Sequence, residues 1–295
     1  MMNTVIVVES PAKARKIQNY FTDGTKVISS FGHIYDLPKE KISIDIENNF
    51  KPNYKPLHGK TKVIKELRDY SKNYNVLLAA DDDREGDAIA WHCGKVMKLN
   101  FADKNRIIFH EISKKAIQKS MKNIHCLNMN SVNAQQARRI IDRLVGYSLS
   151  PCLWKNIQSD KFGLSAGRVQ STLLSILKEH ENKINDYESE YSYDFTGDFI
   201  FDDKKISCDL LFNIDTIDKS MILRIMKLFI KNKQFNLISS KESEEKKYPG
   251  PPLITSSLQQ SAQNELGFPV QMTMNIAQKL YENGKITYMR TDSTY

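Results

Sequence analysis

Short β-branched runs alternating with helical segments set the class of fold open to the first half of this chain. Thr4 to Val8 is such a run; Ser10 and Pro11 then supply an N-cap and a first-turn proline, and Ala12 to Phe21 reads as a helix. Val76 to Ala80 leads into a helical stretch over Arg84 to Leu99, and Ile107 to Phe109 into a helix that starts after the cap Ser113. Repeated units of this kind predict an α/β domain with a mainly parallel sheet, helices on both faces, and ligands bound beyond the carboxyl ends of the strands. Lys39 to His58 is rich in Asn, Lys and Pro without a clear period, and reads as a surface excursion.

From Val132 to about Ile184 the pattern turns helical, with basic residues gathered on Asn133 to Tyr147 and Ser165 to His180. Tyr191 to Phe201 and Lys204 to Phe212 read as paired strands with Asp203-Lys204 near their turn. Lys241 to Tyr248 is a charged linker and Pro249-Gly250-Pro251-Pro252 a strong breaker. Helical stretches over Thr255 to Leu266 and Gln271 to Glu282 then lead to Ile286-Thr287-Tyr288, and no internal repeat is visible.

Composition narrows the function. Apolar residues at 40% and charged residues at 26% argue against a disordered chain, and no run approaches the about 18 apolar residues of a membrane span. Lys and Arg exceed Asp and Glu by 43 − 35 = 8, which favours a polyanionic partner such as nucleic acid. Cys93, Cys126, Cys152 and Cys208 lie far apart with no C-x-x-C pair, so reduced thiols are expected rather than disulfides or a zinc site. The N-terminus has no basic segment and its apolar run stops at Glu9, so no signal peptide is read and the cytoplasm is the expected compartment.

Asp81-Asp82-Asp83-Arg84-Glu85-Gly86 stands where a strand ends and a helix begins. Carboxylates at alternate positions, Asp81, Asp83 and Glu85, can point one way from extended backbone, and Glu9 closes what should be a neighbouring strand. Gathered carboxylates repel unless a cation neutralises them, and hard oxygen ligands suit Mg²⁺. An acidic first helical turn favoured by the helix dipole would explain the run equally well. An EF-hand would not, because His92 occupies the loop position of the bidentate Glu.

Val5-Ile-Val-Val-Glu-Ser-Pro-Ala-Lys13, Ser30-Phe-Gly-His33 and Asp81-x-Asp83-Arg84-Glu85-Gly86 together resemble the Toprim domain of the bacterial type I topoisomerases of type IA. The likeness continues through Asn133-Ala-Gln-Gln-Ala-Arg138-Arg139-Ile-Ile-Asp142-Arg, Leu164-Ser165-Ala166-Gly167-Arg168-Val169-Gln170-Ser and Pro251-Pro-Leu-Ile-Thr-Ser-Ser-Leu-Gln-Gln260. It ends on Ile286-Thr-Tyr288-Met-Arg290-Thr-Asp-Ser293 and is weakest between about Asn185 and Lys247. The resemblance implies a Toprim domain over 1–127, the first part of a helical DNA-binding domain over 128–186, the start of a β-rich arch over 187–248, and a partial helical domain carrying the active-site tyrosine over 249–295. It also implies an ATP-independent, Mg²⁺-dependent enzyme, expected as a monomer. Such an enzyme cuts one strand through a 5′-phosphotyrosyl bond, passes the other strand and reseals, relaxing negatively supercoiled DNA at single-stranded regions.

In that likeness Tyr288 is the nucleophile, and Lys13 and Glu9 match the acid side of the chemistry, with the proton donor between them open. Glu9, Asp81, Asp83 and Glu85 match the Mg²⁺-binding cluster. Ionising a tyrosine at pH 7 costs about 4 kcal/mol, which Arg290 could lower while also stabilising the attacked phosphate. His33, Arg138, Arg139, Asp142, Tyr147, Trp154, the run Ser165 to Gln170 and Arg290 match positions that contact single-stranded DNA. A basic channel with aromatic stacking suits such a strand. The loop Lys155 to Phe162 is longer than the usual basic link and lacks its paired arginines, and the chain stops seven residues after Tyr288. Two readings follow: a catalytic region recorded as part of a longer polypeptide or completed by another, or a truncated remnant that binds single-stranded DNA without full activity. A Toprim primase or nuclease would explain Asp81-x-Asp83 but not Tyr288-Met-Arg290.

Overall fold

The structure, a computed structural model, describes residues 3–157, 163–189, 195–201, 203–210, 219–232 and 234–294. They divide into two compact units, one formed by the chain up to Leu174 together with everything from Gly250 onward, the other by Ser175–Pro249.

The first unit is built on a parallel sheet. Strand β1 (Thr4–Val8) is followed by helix α1 (Pro11–Gln18) and strand β2 (Lys26–Ser29). A surface excursion holds four two-residue strands, β3 (Tyr35–Asp36), β4 (Ile44–Asp45), β5 (Lys51–Pro52) and β6 (Lys55–Pro56), paired as β3 with β6 and β4 with β5. Helix α2 (Thr61–Asn73) then leads into β7 (Asn75–Leu78), and the sheet order is β2-β1-β7 with Val7 facing Ile28 on one side and Leu78 on the other. Ser10 caps α1 as its sequence requires, its Oγ accepting the Lys13 N–H at 3.2 Å. That helix ends three residues earlier than expected, where the Gln18 amide donates to Thr25 O and accepts from Val27 N–H, tying the helix end to the sheet edge.

Alternation along β1 and β7 divides the core between the two faces of the sheet. Val5, Val7 and Leu78 bury against α2 and against α3 (Arg84–Val96), through Ile64, Leu67, Ile89 and Val96. Ile6, Val8 and Leu77 bury against α1 and against α4 (Lys114–Lys122), through Ala14, Ile17 and Ile117. The expected strand over Ile107 to Phe109 reduces to a single parallel bridge between Leu78 and Arg106. The run is short, and the carbonyl of His110 just past it accepts the Tyr288 N–H at 2.7 Å rather than a sheet neighbour.

Helix α5 (Met129–Asn156) anchors its start in the core through Val132 and carries the first basic cluster outward. Helix α6 (Arg168–Asn185) begins three residues after Ser165, which stays in the preceding loop. In the second unit, β8 (Phe195–Phe201) and β9 (Lys204–Leu210) form the expected antiparallel hairpin, with Asp203 in left-handed backbone at the turn. Residues 191–194 and 211–212 of the expected strands lie outside the described residues, as do 158–162 of the long loop. Helix α7 (Lys219–Lys231), for which no element was expected, places Phe229 against Phe235, which in turn meets Phe199 of β8.

The chain from Gly250 returns to the first unit as α8 (Thr255–Leu266) and α9 (Val270–Glu282). Ala277 and Tyr281 of α9 bury on the α1 face of the sheet. Gly284, at φ +61°, ends the helix where a Cβ would lie 2.5 Å from the Ile112 carbonyl. Thr255 then fixes the next segment, its Oγ1 donating to Met289 O at 2.9 Å and accepting the Thr291 N–H at 3.0 Å. Among the described residues, no helix is long and apolar enough to cross a membrane.

Candidate active site

Glu9 follows the carboxyl end of β1, Asp81 follows that of β7, and Asp83 caps α3 by accepting the Gly86 N–H at 2.7 Å. The Asp81 N–H donates to Glu9 Oε1 at 2.8 Å. Lys13, only 1% exposed, donates from Nζ to Asp81 Oδ1, and the Tyr281 hydroxyl donates to the same oxygen at 3.2 Å. The Tyr288 hydroxyl donates to Asp83 Oδ2, with Arg290 3.7 Å from that oxygen and the Tyr281 and Tyr288 rings 5.1 Å apart. Residues some 200 positions apart in sequence thus meet in one corner.

Arg106 holds that corner from beneath. Its guanidinium, 1% exposed, donates to the carbonyls of Ala80 at 2.6 Å, Asp81 at 2.7 Å and Ile107 at 2.9 Å, and pairs with Asp87 at 3.2 Å. Carbonyls that lose strand partners as β7 ends are satisfied by this side chain, which fixes the direction in which Asp81 leaves the sheet.

The charges of the corner are not balanced. Burial, then the neighbouring Asp81 and Asp83 charges, raise the Glu9 carboxyl above its ordinary range against the pull of Lys13. Burial and the hydrogen bond to Asp83 push the Tyr288 phenol up; Arg290 pulls it down in the expected direction but is outweighed. Among the described residues, no three His, Cys, Asp or Glu side chains are already disposed around a common metal position. Glu9, Asp81 and Asp83 nonetheless fit a hard divalent cation in donor type and in unneutralised charge.

Glu85 does not join the corner. The expectation of alternate carboxylates on one side assumed extended backbone through residue 85, but α3 begins at Arg84 and turns Glu85 away. Its carboxylate lies 2.9 Å from His33 Nε2 and accepts from Gln135 Nε2 at 3.2 Å, and the His33 contact holds it below the usual range. These groups border a polar cavity of about 120 Å³ with Asp36, His92 and Arg139.

Apart from His33, at Glu85, and Arg290, at Asp83, the strand-contact candidates lie along α5, in the loop before α6 and at its start. Arg139 pairs with Asp36, while Asp142 takes Arg138 at 3.8 Å and Arg168 at 3.0 Å, so one carboxylate gathers two arginines. Arg143 donates to the carbonyls of Pro38 at 2.7 Å and Leu37 at 3.0 Å and lies 4.8 Å from the Tyr147 ring, whose hydroxyl donates to Lys39 O. Trp154 is 62% exposed and donates to Leu164 O. In the Ser165 to Gln170 run, Ala166 N–H bonds Ser150 Oγ, Gly167 N–H bonds Ser171 Oγ, Gln170 reaches back to Ser165, and Val169 is exposed. Lys39, Arg143, Tyr147, Trp154 and Ser165 line a cleft of about 640 Å³. Tyr281 and Arg106 stand in no motif read from the sequence, and Gln135 and Arg143, which stand in one, were given no role there.

A family model described as Toprim domain matches residues 4–112, and one described as DNA topoisomerase matches residues 126–295. Toprim domains are metal-binding domains. Among solved structures, full-length topoisomerase I from Thermotoga maritima, in a monoclinic crystal form, is similar at 40% identity and a TM-score of 0.82. The match covers 99% of this chain and 50% of that one, so this chain spans about half the length of that protein.

Proposed function

The chain belongs to the bacterial type IA DNA topoisomerases, and from that premise we propose that its acidic corner cuts and reseals one strand of DNA. The Tyr288 oxygen attacks a backbone phosphorus, the bond from phosphorus to the sugar 3′-oxygen breaks, and a 5′-phosphotyrosyl link remains. Resealing is the reverse attack. One phosphoester replaces another at each step, so no ATP is needed. The observation that carries this reading is the docking of the Tyr288 hydroxyl on Asp83, beside Arg290 and the Lys13–Asp81 pair.

Asp83 Oδ2 already accepts the phenol hydrogen bond and is placed to receive its proton as the new bond forms. Lys13 and Glu9 flank Asp81 and are the groups that return a proton to the leaving 3′-oxygen. Arg290 offsets charge on the attacked phosphate. Glu9, Asp81 and Asp83 would hold Mg²⁺, which when bound supplies positive field for the phosphate and the broken ends; Glu85 serves through His33 and Gln135 instead. Arg138, Arg139, Arg168, Tyr147 and Trp154 carry the single strand, with Asp142 ordering its two arginines. Residues 1–127 bring the acidic corner, 128–186 the strand path, 187–248 the arch and 249–295 the nucleophile. Relaxation of negatively supercoiled DNA is the activity of the whole enzyme on this reading.

A denaturing gel with a 3′-labelled single-stranded oligonucleotide and Mg²⁺ tests it. The expected result is a covalent adduct that Tyr288→Phe abolishes while a native gel still shows binding. An adduct that survives the substitution would refute the nucleophile, and binding without any adduct would favour a strand-binding remnant.

A further inference from the structure

We propose that Phe31 and Lys60 form a nucleotide subsite beside the acidic corner, the Phe31 ring stacking on one base of a single strand and the Lys60 ammonium meeting its phosphate. The inference rests on the strand-cutting reading above and assigns that strand a contact outside α5 and α6.

Phe31 stands in left-handed backbone at φ +57°, a conformation costly for a bulky side chain that has a Cβ. Its ring gains little in return from burial, because the residue is 54% exposed. Strained residues persist where their surroundings over-determine them, and here they do. The Phe31 N–H donates to Ser29 Oγ at 3.0 Å, Ser29 Oγ donates to Glu9 O at 3.0 Å, and the Gly32 N–H donates to Glu9 O at 2.9 Å. Lys60 Nζ reaches over from the start of α2 to the carbonyls of Ser30 and Phe31. The loop is therefore wired to Glu9 itself, and two residues on His33 contacts Glu85.

Phe50 has similar backbone, but it lies beside Asn49 in the loop joining β4 to β5, where a hairpin accounts for it. No hairpin follows β2. What the Phe31 loop presents instead is a half-exposed ring with the Lys60 ammonium over it, 5.7 Å from its centre. Lys60 has no carboxylate at salt-bridge distance among the described residues, and its two carbonyl contacts leave one of three donors. A ring for a base beside an ammonium for a phosphate is the pairing that single strands recognise, and it tolerates any base.

The test measures anisotropy of a fluorescent single-stranded oligonucleotide, and quenching of 2-aminopurine within it, on the full chain and its variants. Glycine suits φ +57°, so Phe31→Gly keeps the loop and removes only the ring. It should weaken binding roughly 5- to 150-fold and reduce quenching, while Phe31→Tyr keeps both at wild-type levels. Lys60→Gln should flatten the slope of log affinity against log salt by about 0.7. Wild-type affinity and quenching in Phe31→Gly would overturn the subsite and leave the strand-cutting reading standing. Equal losses in Phe31→Gly and Phe31→Tyr would make the residue merely structural and also overturn it. A wild-type chain that binds no single strand would overturn both.

Discussion

His92 is enclosed by the rings of Tyr54 at 4.8 Å, Trp91 at 4.9 Å and Tyr35 at 5.7 Å, and its buried Nδ1 has no hydrogen-bond partner among the described residues. Burial, then the charges of His33 and Lys95, lower its pKa from 6.5 to about 4. The folded chain therefore binds fewer protons than the unfolded one between those values, and stability must fall as pH drops from 6.5 toward 4. The difference of 6.5 − 4 = 2.5 corresponds to about 3 kcal/mol. Denaturant unfolding at pH 7 and pH 4.5 should show most of this loss in the wild type and little of it in His92→Phe; equal losses in both would contradict the assignment. At this scale the sequence exposed the residues that stand in motifs, among them Tyr288, Lys13 and Asp81. It concealed Tyr281, which sits on an amphipathic helix like any core tyrosine, and Arg106, whose value depends on carbonyls released 25 residues earlier.

The junction of β7 and α3 carries the element-scale argument. A Cβ on Gly86 would lie 2.2 Å from the Asp81 carbonyl oxygen, a backbone atom that cannot swing aside. Gly86→Ala should destabilise the chain by more than the about 1–3 kcal/mol of ordinary overpacking, and should displace Asp81 enough to lose the adduct. Thermal unfolding and the adduct gel check the two effects, and a variant unchanged in both would mean that the junction is slack. The strand and the helix were both legible here, in Val76 to Ala80 and in the run from Arg84. The fate of Glu85 was not, because reading the carboxylates as alternating from extended backbone ran on into a helix that the sequence itself starts at Arg84, where successive side chains no longer alternate. Helix α2 drew no expectation, although Ile64 and Leu67 recur at helical spacing.

At the scale of the molecule, the corner depends on the return of residues 250–295 to the sheet, which brings Tyr281 to Asp81 and Tyr288 to Asp83. No local pattern announces contacts across 200 residues; only the family resemblance tied those segments to one site. The +8 excess has a measurable counterpart on the proposed strand path. Arg168 is shared with Asp142 yet about half exposed, and if it meets a phosphate, Arg168→Ala should flatten the salt dependence of single-strand affinity by about 0.7 in logarithmic slope. An unchanged slope would remove Arg168 from the path. The central claim is that Tyr288 carries the DNA strand. Trapping the adduct on an oligonucleotide, digesting it and locating the attached nucleotide by mass spectrometry tests this most directly. The account predicts attachment on the peptide containing Tyr288, whereas attachment to Tyr281 or any other residue would contradict it.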